Sequence, residues 1–335
     1  MTTNREVILT ELPVGELNEK NFSVRTSPVP TVADGHVLVR TLLMSIDAAN
    51  RAWMQGATYR EAIKPGDVMH TYSIAEVLAS DSAKFAEGEI VAAEAGWADY
   101  CNVLPEKIQK LKRRNPLSTL LSVYGVAGKT AYHGLLGGGK PVSGETVLIS
   151  AAAGLVGIYV GQIAKTLGLK VVGIAGGSQK CDWLRSELGF DDCVDYREGN
   201  LFKSIKAACP DGVDIYFDNV GGTILETALF HMNERGRVVC CGAVSQYQSQ
   251  APIGPRNLPG LVVVKRLKME GFIVFDFADQ DEKAEQDLES WVEKGQIKVV
   301  EDVVEGLENA PSALVGLLAG NNRGKRMVRV APDPS

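Results

Sequence analysis

Between residues 121 and 275 the hydrophobic positions follow two alternating patterns, and each pattern predicts a different element. Segments with helical spacing, such as 154–168 and 179–188, lie between short, almost continuous apolar runs. These runs predict buried parallel strands at 146–150, 170–174, 192–196, 213–217, 236–241 and 270–275. Strands joined by helical crossovers predict an α/β fold with a doubly wound parallel sheet of the Rossmann type.

The flanking segments have a different pattern. Short strands separated by proline and glycine predict a mostly antiparallel β unit in residues 1–120, with examples at Glu6–Leu12, His36–Met44 and Ser73–Ala79. An acidic amphipathic stretch follows the central section, and the tail is again rich in strands; the predicted elements are Gln280–Lys294, a strand within 298–306, a helix at Ala310–Leu318 and a strand at Arg326–Val330. We therefore expect residues 300–335 to complete the first domain, and residues 121–299 to form a central dinucleotide-binding domain.

The segment SAAAGLVGIYVGQ, Ser150 to Gln162, connects the first central strand to a helix. A glycine at 154 allows the backbone to approach a phosphate, and Gly157 allows the helix to pack closely on the strand. The helix begins at Leu155 and Val156, whose N–H groups can bind an anion. Ala152 occupies the first glycine position of the G-x-G-x-x-G pattern, so the fingerprint is incomplete. Its place between a strand and a helix favours a nucleotide site over close packing alone.

The second central strand indicates which nucleotide binds. NAD-binding sites have an acidic residue at the end of this strand, where it binds the ribose hydroxyls. Here the strand continues into AGGSQK, residues 175–180, which contains no carboxylate but includes Gly177, Ser178 and Lys180. A hydroxyl and a cation suit a 2′-phosphate, and Tyr196 at the end of the third strand is placed to donate to it. The pattern predicts NADP(H), although a solvated lysine and an ordinary strand-end tyrosine are the alternatives.

Composition excludes several other functions. The chain has 335 residues, 45% of them hydrophobic and 23% charged, with a net charge of −6, so nothing indicates a nucleic-acid surface. No apolar run of 18 residues and no secretory signal are present, so we expect no membrane segment and a cytoplasmic location. The 6 cysteines contain no C-x-x-C pair, which is typical of free thiols in a reducing compartment.

Motifs along the whole chain carry a family resemblance: Asp47–Arg51, GVAGKTAYHGLL (125–136), GETVLISAAAGLVG (144–157), VVGIAGGSQKCDWL (171–184), DIYFDNVGG (214–222), CCGAVSQY (240–247), MEGFIVFD (269–276) and NNRGK (321–325). The sequence resembles the zinc-independent medium-chain dehydrogenases/reductases. More narrowly, it is similar to the NADPH-dependent alkenal, prostaglandin and curcumin-type double-bond reductases.

The resemblance implies a GroES-like catalytic domain beside the Rossmann domain, and a homodimer joined through the edges of the Rossmann sheets. It assigns Lys180 and Tyr196 to the 2′-phosphate of the cofactor. It also implies that further residues line the remainder of NADPH/NADP: Asn219, Cys241, Gly242, Ala243, Tyr247, Phe272, Ile273, Val274 and Asn322.

Zinc ligands are missing from the pattern. Zinc alcohol dehydrogenases of this fold have a G-H-E motif near residue 70 and a lobe of four closely spaced cysteines. Here Met69 precedes His70 and Thr71 follows it, and no cysteine lobe occurs. The other histidines, at positions 36, 133 and 231, form no ligand set with neighbouring residues, so we expect no metal.

Several positions depart from the family pattern. The usual D-P-Y-M-R is replaced by Asp47-Ala48-Ala49-Asn50-Arg51, which removes a tyrosine that often faces the substrate. The segment Met69–Tyr72 replaces a glycine-rich strand, Tyr124 replaces a small aliphatic residue, and Ala127 replaces a proline. These changes predict a substrate pocket with altered polar and aromatic groups.

Without a metal, a hydroxyl donor is needed to stabilise charge on the substrate oxygen. We expect hydride transfer to the β-carbon of an α,β-unsaturated ketone or aldehyde, with Tyr247 as the first candidate donor and Tyr59 and Tyr72 as the next. The alternatives for these tyrosines are packing on the cofactor or in the pocket wall. Two other functions stay open at this point, a quinone oxidoreductase of the same fold and a non-catalytic NADPH-binding protein.

Overall fold

A computed structural model describes residues 3–56, 61–246 and 254–334 of the chain. Its backbone contacts divide the chain into two compact units. The first unit comprises Met1–Leu121 and Glu301–Ser335, and the second comprises Ser122–Val300.

The first unit begins with an antiparallel β structure. Its elements, in chain order, are β1 (Thr3–Leu9), β2 (Phe22–Pro28), β3 (Val37–Ser45), α1 (Ala49–Ala52), β4 (Ser73–Ser80), β5 (Ile90–Ala93), β6 (Tyr100–Val103) and β7 (Ile108–Lys110). Strands β1 and β2 form a hairpin, while β3, β4, β5 and β7 follow one another in a larger sheet and β6 also pairs with β3. Every residue of β3 except Arg40 is buried, as expected of a central strand.

The second unit alternates strands and helices. Its elements are α2 (Val126–His133), β8 (Thr146–Ser150), α3 (Leu155–Thr166), β9 (Lys170–Ala175), α4 (Ser178–Leu188), β10 (Asp192–Asp195), α5 (Leu201–Ala208), β11 (Val213–Asp218), α6 (Gly222–His231), β12 (Met232–Cys240), α7 (Leu258–Lys265), β13 (Lys268–Gly271) and α8 (Asp281–Glu293). The strands are parallel in the order β10-β9-β8-β11-β12-β13, which is the Rossmann order.

The parallel sheet has a hydrophobic core on each face. Val147 and Ile149 of β8 belong to the cluster that includes Ile158 of α3, whereas Leu148 belongs to the cluster with Ile205 of α5 and Leu225 of α6. Successive side chains of a strand point to opposite faces, so the continuous apolar run of β8 is buried on both sides. This burial explains why the run shows no polar alternation.

The chain ends with β14 (Glu301–Glu305), α9 (Ala310–Leu318) and β15 (Lys325–Arg329). Strand β14 pairs with β15 in parallel, and β15 pairs with β3 in antiparallel register. The described residues therefore form one parallel sheet, one larger and mostly antiparallel sheet, and the separate β1–β2 hairpin, which confirms the predicted fold class. Short helical turns complete the structure: 3₁₀ turns at Glu19–Asn21, Pro105–Lys107, Leu117–Leu120, Val244–Gln246, Val274–Gln280 and Leu307–Asn309, and a π-helical turn at Gly134–Gly139.

Some predicted boundaries differ from those observed. The strand predicted at 270–275 ends at Gly271, because the Phe272 ring turns onto the core, 6.5 Å from the Phe217 ring centroid, and a 3₁₀ turn begins at Val274. The strand predicted at Glu6–Leu12 spans Thr3–Leu9, since its pairing with β2 ends where Leu9 faces Phe22. Among the helices of the described ranges, none has the length and apolar character needed to cross a bilayer.

Candidate functional site

The turn between β8 and α3 has the geometry of a phosphate-binding turn. Ala151 is in the left-handed region (φ 47°), and its carbonyl accepts a 2.8 Å hydrogen bond from the Gly154 N–H. The Ala152 N–H donates to Ile174 O at 3.0 Å, which joins the turn to β9. Helix α3 begins at Leu155, and the first N–H groups of a helix have no acceptor within it. The turn therefore presents a helix N-terminus suited to an anion.

The two glycines of this turn differ in their surroundings. A Cβ on Gly157 would lie 2.5 Å from Ala151 O and 2.7 Å from Ala152 Cα, both backbone atoms. A Cβ on Gly154 would lie 3.1 Å from Ala151 O, a tight contact but one that a small shift relieves. Gly157 is thus required for packing of α3 on the turn. Gly154, at the N-cap of α3, is not required for this packing, and its small size can instead allow a ligand to approach the backbone.

The turn after β9 contains the residues predicted for the 2′-phosphate. Gly177 has φ +93°, and α4 begins at Ser178, with Lys180 in its first turn. Tyr196 follows β10, its N–H donates to Ala175 O at 3.1 Å, and the side chain is 45% exposed. Because β9 and β10 are adjacent parallel strands, Lys180 and Tyr196 lie at the same carboxyl edge of the sheet.

A buried carboxylate, whose role could not be predicted from the sequence, organises the centre of that edge. One oxygen of Asp218, Oδ1, accepts hydrogen bonds from Ser150 Oγ at 3.1 Å and Tyr216 Oη at 2.9 Å, and from the N–H groups of Val220 and Gly221 at 3.0 Å each. Burial, with the nearby Asp218 carboxylate as the next cause, raises the pKa of Tyr216 well above its ordinary value. The phenol therefore stays protonated and donates.

Asn219 and the segment after β12 are held by the same network. The Asn219 N–H donates to Ser150 Oγ at 2.9 Å, and its Nδ2 donates to Ser150 O at 2.8 Å. The N–H groups of Cys241 and Gly242 donate to the backbone carbonyl of Asp218 at 2.8 and 3.1 Å. Burial raises the pKa of the Cys241 thiol to about 12, so this part of the edge carries no thiolate at neutral pH. Asn219 and Cys241–Ala243 thus lie beside the glycine turn.

The remaining residues predicted to line the cofactor, Phe272–Val274 and Asn322, do not belong to the hydrogen-bond network around Asp218. Phe272 packs in the core against Phe217 and Phe277, Ile273 is 52% exposed, and Val274 begins a 3₁₀ turn. Asn322 belongs to the first unit, where it is buried and its Nδ2 donates to Gly324 O at 3.0 Å.

Only one of the three candidate catalytic tyrosines falls within the described ranges. Tyr59 and Tyr247 lie outside them. Tyr72 is half-buried immediately before β4, and its carbonyl accepts a 2.9 Å hydrogen bond from the Ser45 N–H.

A polar cluster in the first unit fixes the segment before Tyr72. The buried Lys325 Nζ lies 2.6 Å from Asp47 Oδ1, and Ser45 Oγ donates to the other Asp47 oxygen. The Asp47 N–H donates to Asn50 Oδ1 at 2.9 Å, and Asn50 Nδ2 donates to His70 O at 2.8 Å. The D-A-A-N-R segment therefore connects β15 to the residues that precede Tyr72. Both members of the ion pair lie in motifs of the family resemblance, but the sequence does not indicate their pairing, because they are far apart in the chain.

Within residues 3–56, 61–246 and 254–334, no group of three or more His, Cys, Asp or Glu side chains is arranged to hold a metal ion. The residues at the carboxyl edge do suit a dinucleotide. The two glycine turns allow close approach, a helix N-terminus follows each turn, and no acidic side chain follows β9.

Comparison with known proteins defines the class. Residues 5–111 match the family model described as the N-terminal domain of oxidoreductase, and residues 156–293 match the one described as zinc-binding dehydrogenase. The chain belongs to the medium-chain dehydrogenase/reductase family, as the sequence motifs predicted.

Similarity over the full length extends to particular members. The NADPH-dependent curcumin reductase of Escherichia coli is 38% identical, with 98% of each chain covered. The NADP(+)-dependent 2-alkenal reductase of Nicotiana tabacum is 39% identical, covering 99% of this chain and 98% of its own. The crystal structure of CurA from Vibrio vulnificus in complex with NADPH superimposes with a TM-score of 0.92 at 38% identity, covering 98% of this chain and 100% of its own.

Proposed function

We propose that this protein uses NADPH to reduce the carbon–carbon double bond of α,β-unsaturated ketones and aldehydes. The full-length similarity to reductases named for curcumin and 2-alkenals carries the proposal. The carboxyl edge supports it, since no acid follows β9 while Lys180 and Tyr196 flank the site where a 2′-phosphate would bind.

The second unit would hold most of the cofactor, and the first unit would be the catalytic domain. The N-terminus of α3 and Gly154 would bind the pyrophosphate, and Lys180, Ser178 and Tyr196 the 2′-phosphate. Asn219, fixed by Ser150, and the Cys241–Ala243 segment would orient the nicotinamide half.

When bound, NADPH supplies the hydride. The protein must then stabilise negative charge on the carbonyl oxygen of the substrate, for which a preorganised hydroxyl is sufficient. We propose Tyr247 for this role, with Tyr59 and Tyr72 as the alternatives. The proton for the α-carbon would come from water or from the same donor. The backbone hydrogen bond from Ser45 to Tyr72 would limit movement of that residue.

Parallel assays of a 2-alkenal, an enone and a 1,4-quinone, each with NADPH and with NADH, test the proposed activity. We expect NADPH to be preferred and the enal and the enone to be turned over faster than the quinone. A faster quinone reaction would instead indicate a quinone oxidoreductase. NADPH binding without oxidation across a broad substrate panel would indicate a non-catalytic protein.

Phenylalanine substitutions identify the donor. Removing one preorganised donor to a developing oxyanion typically lowers kcat by about 10²-fold or more. We therefore expect Tyr247→Phe to lower enone turnover by about 10²-fold, with Tyr59→Phe, Tyr72→Phe and a control in β6, Tyr100→Phe, close to the wild type. Turnover of Tyr247→Phe within about threefold, a barrier change below about 1 kcal/mol, would exclude Tyr247.

A homodimer formed through the parallel sheet is also proposed. Strand β13 is one of the two edge strands of that sheet, and β10 is the other. Exposed apolar side chains lie on the elements next to it, namely Val263, Val264, Ile273 and Phe275. A second copy that continues the sheet would cover this edge and these side chains.

Light scattering should give twice the chain mass, and Val264→Asp should reduce it to the monomer mass. Val142→Asp serves as the control because Val142 is similarly exposed, at 63% against 68%. A wild-type monomer, or a dimer unaffected by Val264→Asp, contradicts this interface.

The cytoplasmic location is likewise a proposal, supported by the free cysteines of the described ranges.

A further inference from the structure

Arg197 is an exposed cation next to Tyr196, at the end of β10. Its guanidinium carbon lies 5.8 Å from the centroid of the Tyr196 ring, a cation–π contact that orients both side chains. No carboxylate of residues 3–56, 61–246 or 254–334 forms an ion pair with it, and its hydrogen bond to Asp195 is donated by the backbone N–H and not by the guanidinium. An arginine held against an aromatic ring without an acidic partner keeps its donors available for a ligand.

The Arg197 side chain lies across the turn that follows β9. A Cβ on Gly176 would lie 2.8 Å from Arg197 Nε and 3.0 Å from Tyr196 Cε1. The guanidinium is therefore in direct contact with the glycine turn that leads into Ser178 and Lys180. A larger residue at 176 would displace it, which gives the first glycine of AGGSQK a specific role.

Asp195 fixes the backbone at Gly177 and at Arg197, in the two neighbouring turns. Its Oδ1 accepts one hydrogen bond from the Gly177 N–H and one from the Arg197 N–H, each at 2.9 Å. One carboxylate oxygen thus joins the turn after β9 to the turn after β10. Gly177 has φ +93°, so the hydrogen bond stabilises a turn that glycine alone adopts readily.

We propose that Arg197 binds the 2′-phosphate of NADP(H) together with Lys180 and Tyr196, and that Asp195 is a positioning residue for it. The planar guanidinium can donate two parallel hydrogen bonds to phosphate oxygens, a geometry that an ammonium group lacks. Arg197 then contributes to the preference for NADPH over NADH. The inference rests on the proposed cofactor site and extends it by a residue that the sequence motifs did not include.

Equilibrium binding of two fragments tests Arg197 without any turnover. The fragments 2′,5′-ADP and 5′-AMP differ by the 2′-phosphate, and calorimetry measures the Kd of each. We expect Arg197→Ala to weaken 2′,5′-ADP about tenfold and to leave 5′-AMP unchanged, while Arg197→Lys recovers part of the loss. Lys203→Ala, which removes an exposed cation from α5, is the matched control and should bind both fragments like the wild type.

Three outcomes would overturn the proposal: 2′,5′-ADP binding by Arg197→Ala within twofold of the wild type, an equal loss for both fragments, or a wild type that does not distinguish them. Failure of the enone assay would leave these binding results intact, so the two proposals can fail separately.

A second pair of variants tests Asp195. We expect Asp195→Ala to weaken the binding of 2′,5′-ADP several-fold and Asp195→Asn, which keeps an acceptor oxygen, to restore most of that affinity. If Asp195→Ala binds like the wild type, Asp195 does not position the arginine.

Discussion

Replacing Asp218 with alanine is expected to destabilise the parallel-sheet unit by about 4 kcal/mol. The substitution removes the acceptor shared by the Ser150 and Tyr216 hydroxyls and the Val220 and Gly221 N–H groups. Each buried donor left without a partner costs about 1–3 kcal/mol, and water entering the space left by the side chain compensates in part.

Two milder substitutions separate the contributions to this effect. Asp218→Asn retains an oxygen acceptor but loses the charge, and we expect it to cost about half as much. Tyr216→Phe removes one donor and leaves the carboxylate with three, so a loss of about 1 kcal/mol is expected. Hydrogen exchange of the β8 and β11 amides at increasing urea concentration measures the free energy of unfolding of this unit alone.

Asp218→Ala should also weaken cofactor binding, in addition to its effect on the free energy of unfolding. Ser150 donates to Asp218 and accepts from the Asn219 N–H, so the loss of the carboxylate frees Ser150 to rotate and releases Asn219. We expect the Kd for NADPH to rise by about tenfold in the folded variant. A stability within 1 kcal/mol of the wild type would show that water replaces the carboxylate fully, and would contradict the structural role assigned to Asp218.

The sequence was most informative where function depends on local order along the chain. The β8–α3 turn and the absence of an acid after β9 can be read from consecutive residues, because each depends on one strand, one turn and one helix. The parallel, doubly wound character of the sheet followed from the alternation of strands and helical crossovers. These features determined the predicted nucleotide.

Contacts between distant segments could not be predicted in the same way. Asp218 acts on Ser150, 68 residues away, and Lys325 pairs with Asp47, 278 residues away. All four residues lie in motifs that carry the family resemblance, but the motifs do not indicate which residues contact each other. Arg197 illustrates the same limit at short range, since its role depends on side-chain direction over Gly176 rather than on spacing.

Gly157→Ala should combine a loss of stability with a loss of cofactor binding. The added Cβ would lie 2.5 Å from Ala151 O and 2.7 Å from Ala152 Cα, and neither backbone atom can move far enough to relieve contacts this short without displacing the turn or α3. Helix α3 also cannot shift along the sheet freely, because a Cβ on Gly161 would lie 2.0 Å from the Phe190 ring and the helix is packed there. Overpacking of this kind costs about 3 kcal/mol, partly offset by the higher helix propensity of alanine, about 1 kcal/mol.

Gly154→Ala is the matched control, and the pair should separate packing from binding. Gly154 has an ordinary φ of −78°, and its Cβ contact of 3.1 Å can be relieved by a small shift, so the stability should stay within about 1 kcal/mol of the wild type. Its NADPH affinity should nevertheless fall about tenfold, because the methyl group would occupy the space that the pyrophosphate approaches. Gly157→Ala should lower both the stability, measured by urea unfolding, and the NADPH affinity, measured by NADPH fluorescence. Equal stability of the two variants would refute the close packing of α3, whereas unchanged affinity of Gly154→Ala would remove this turn from the cofactor site.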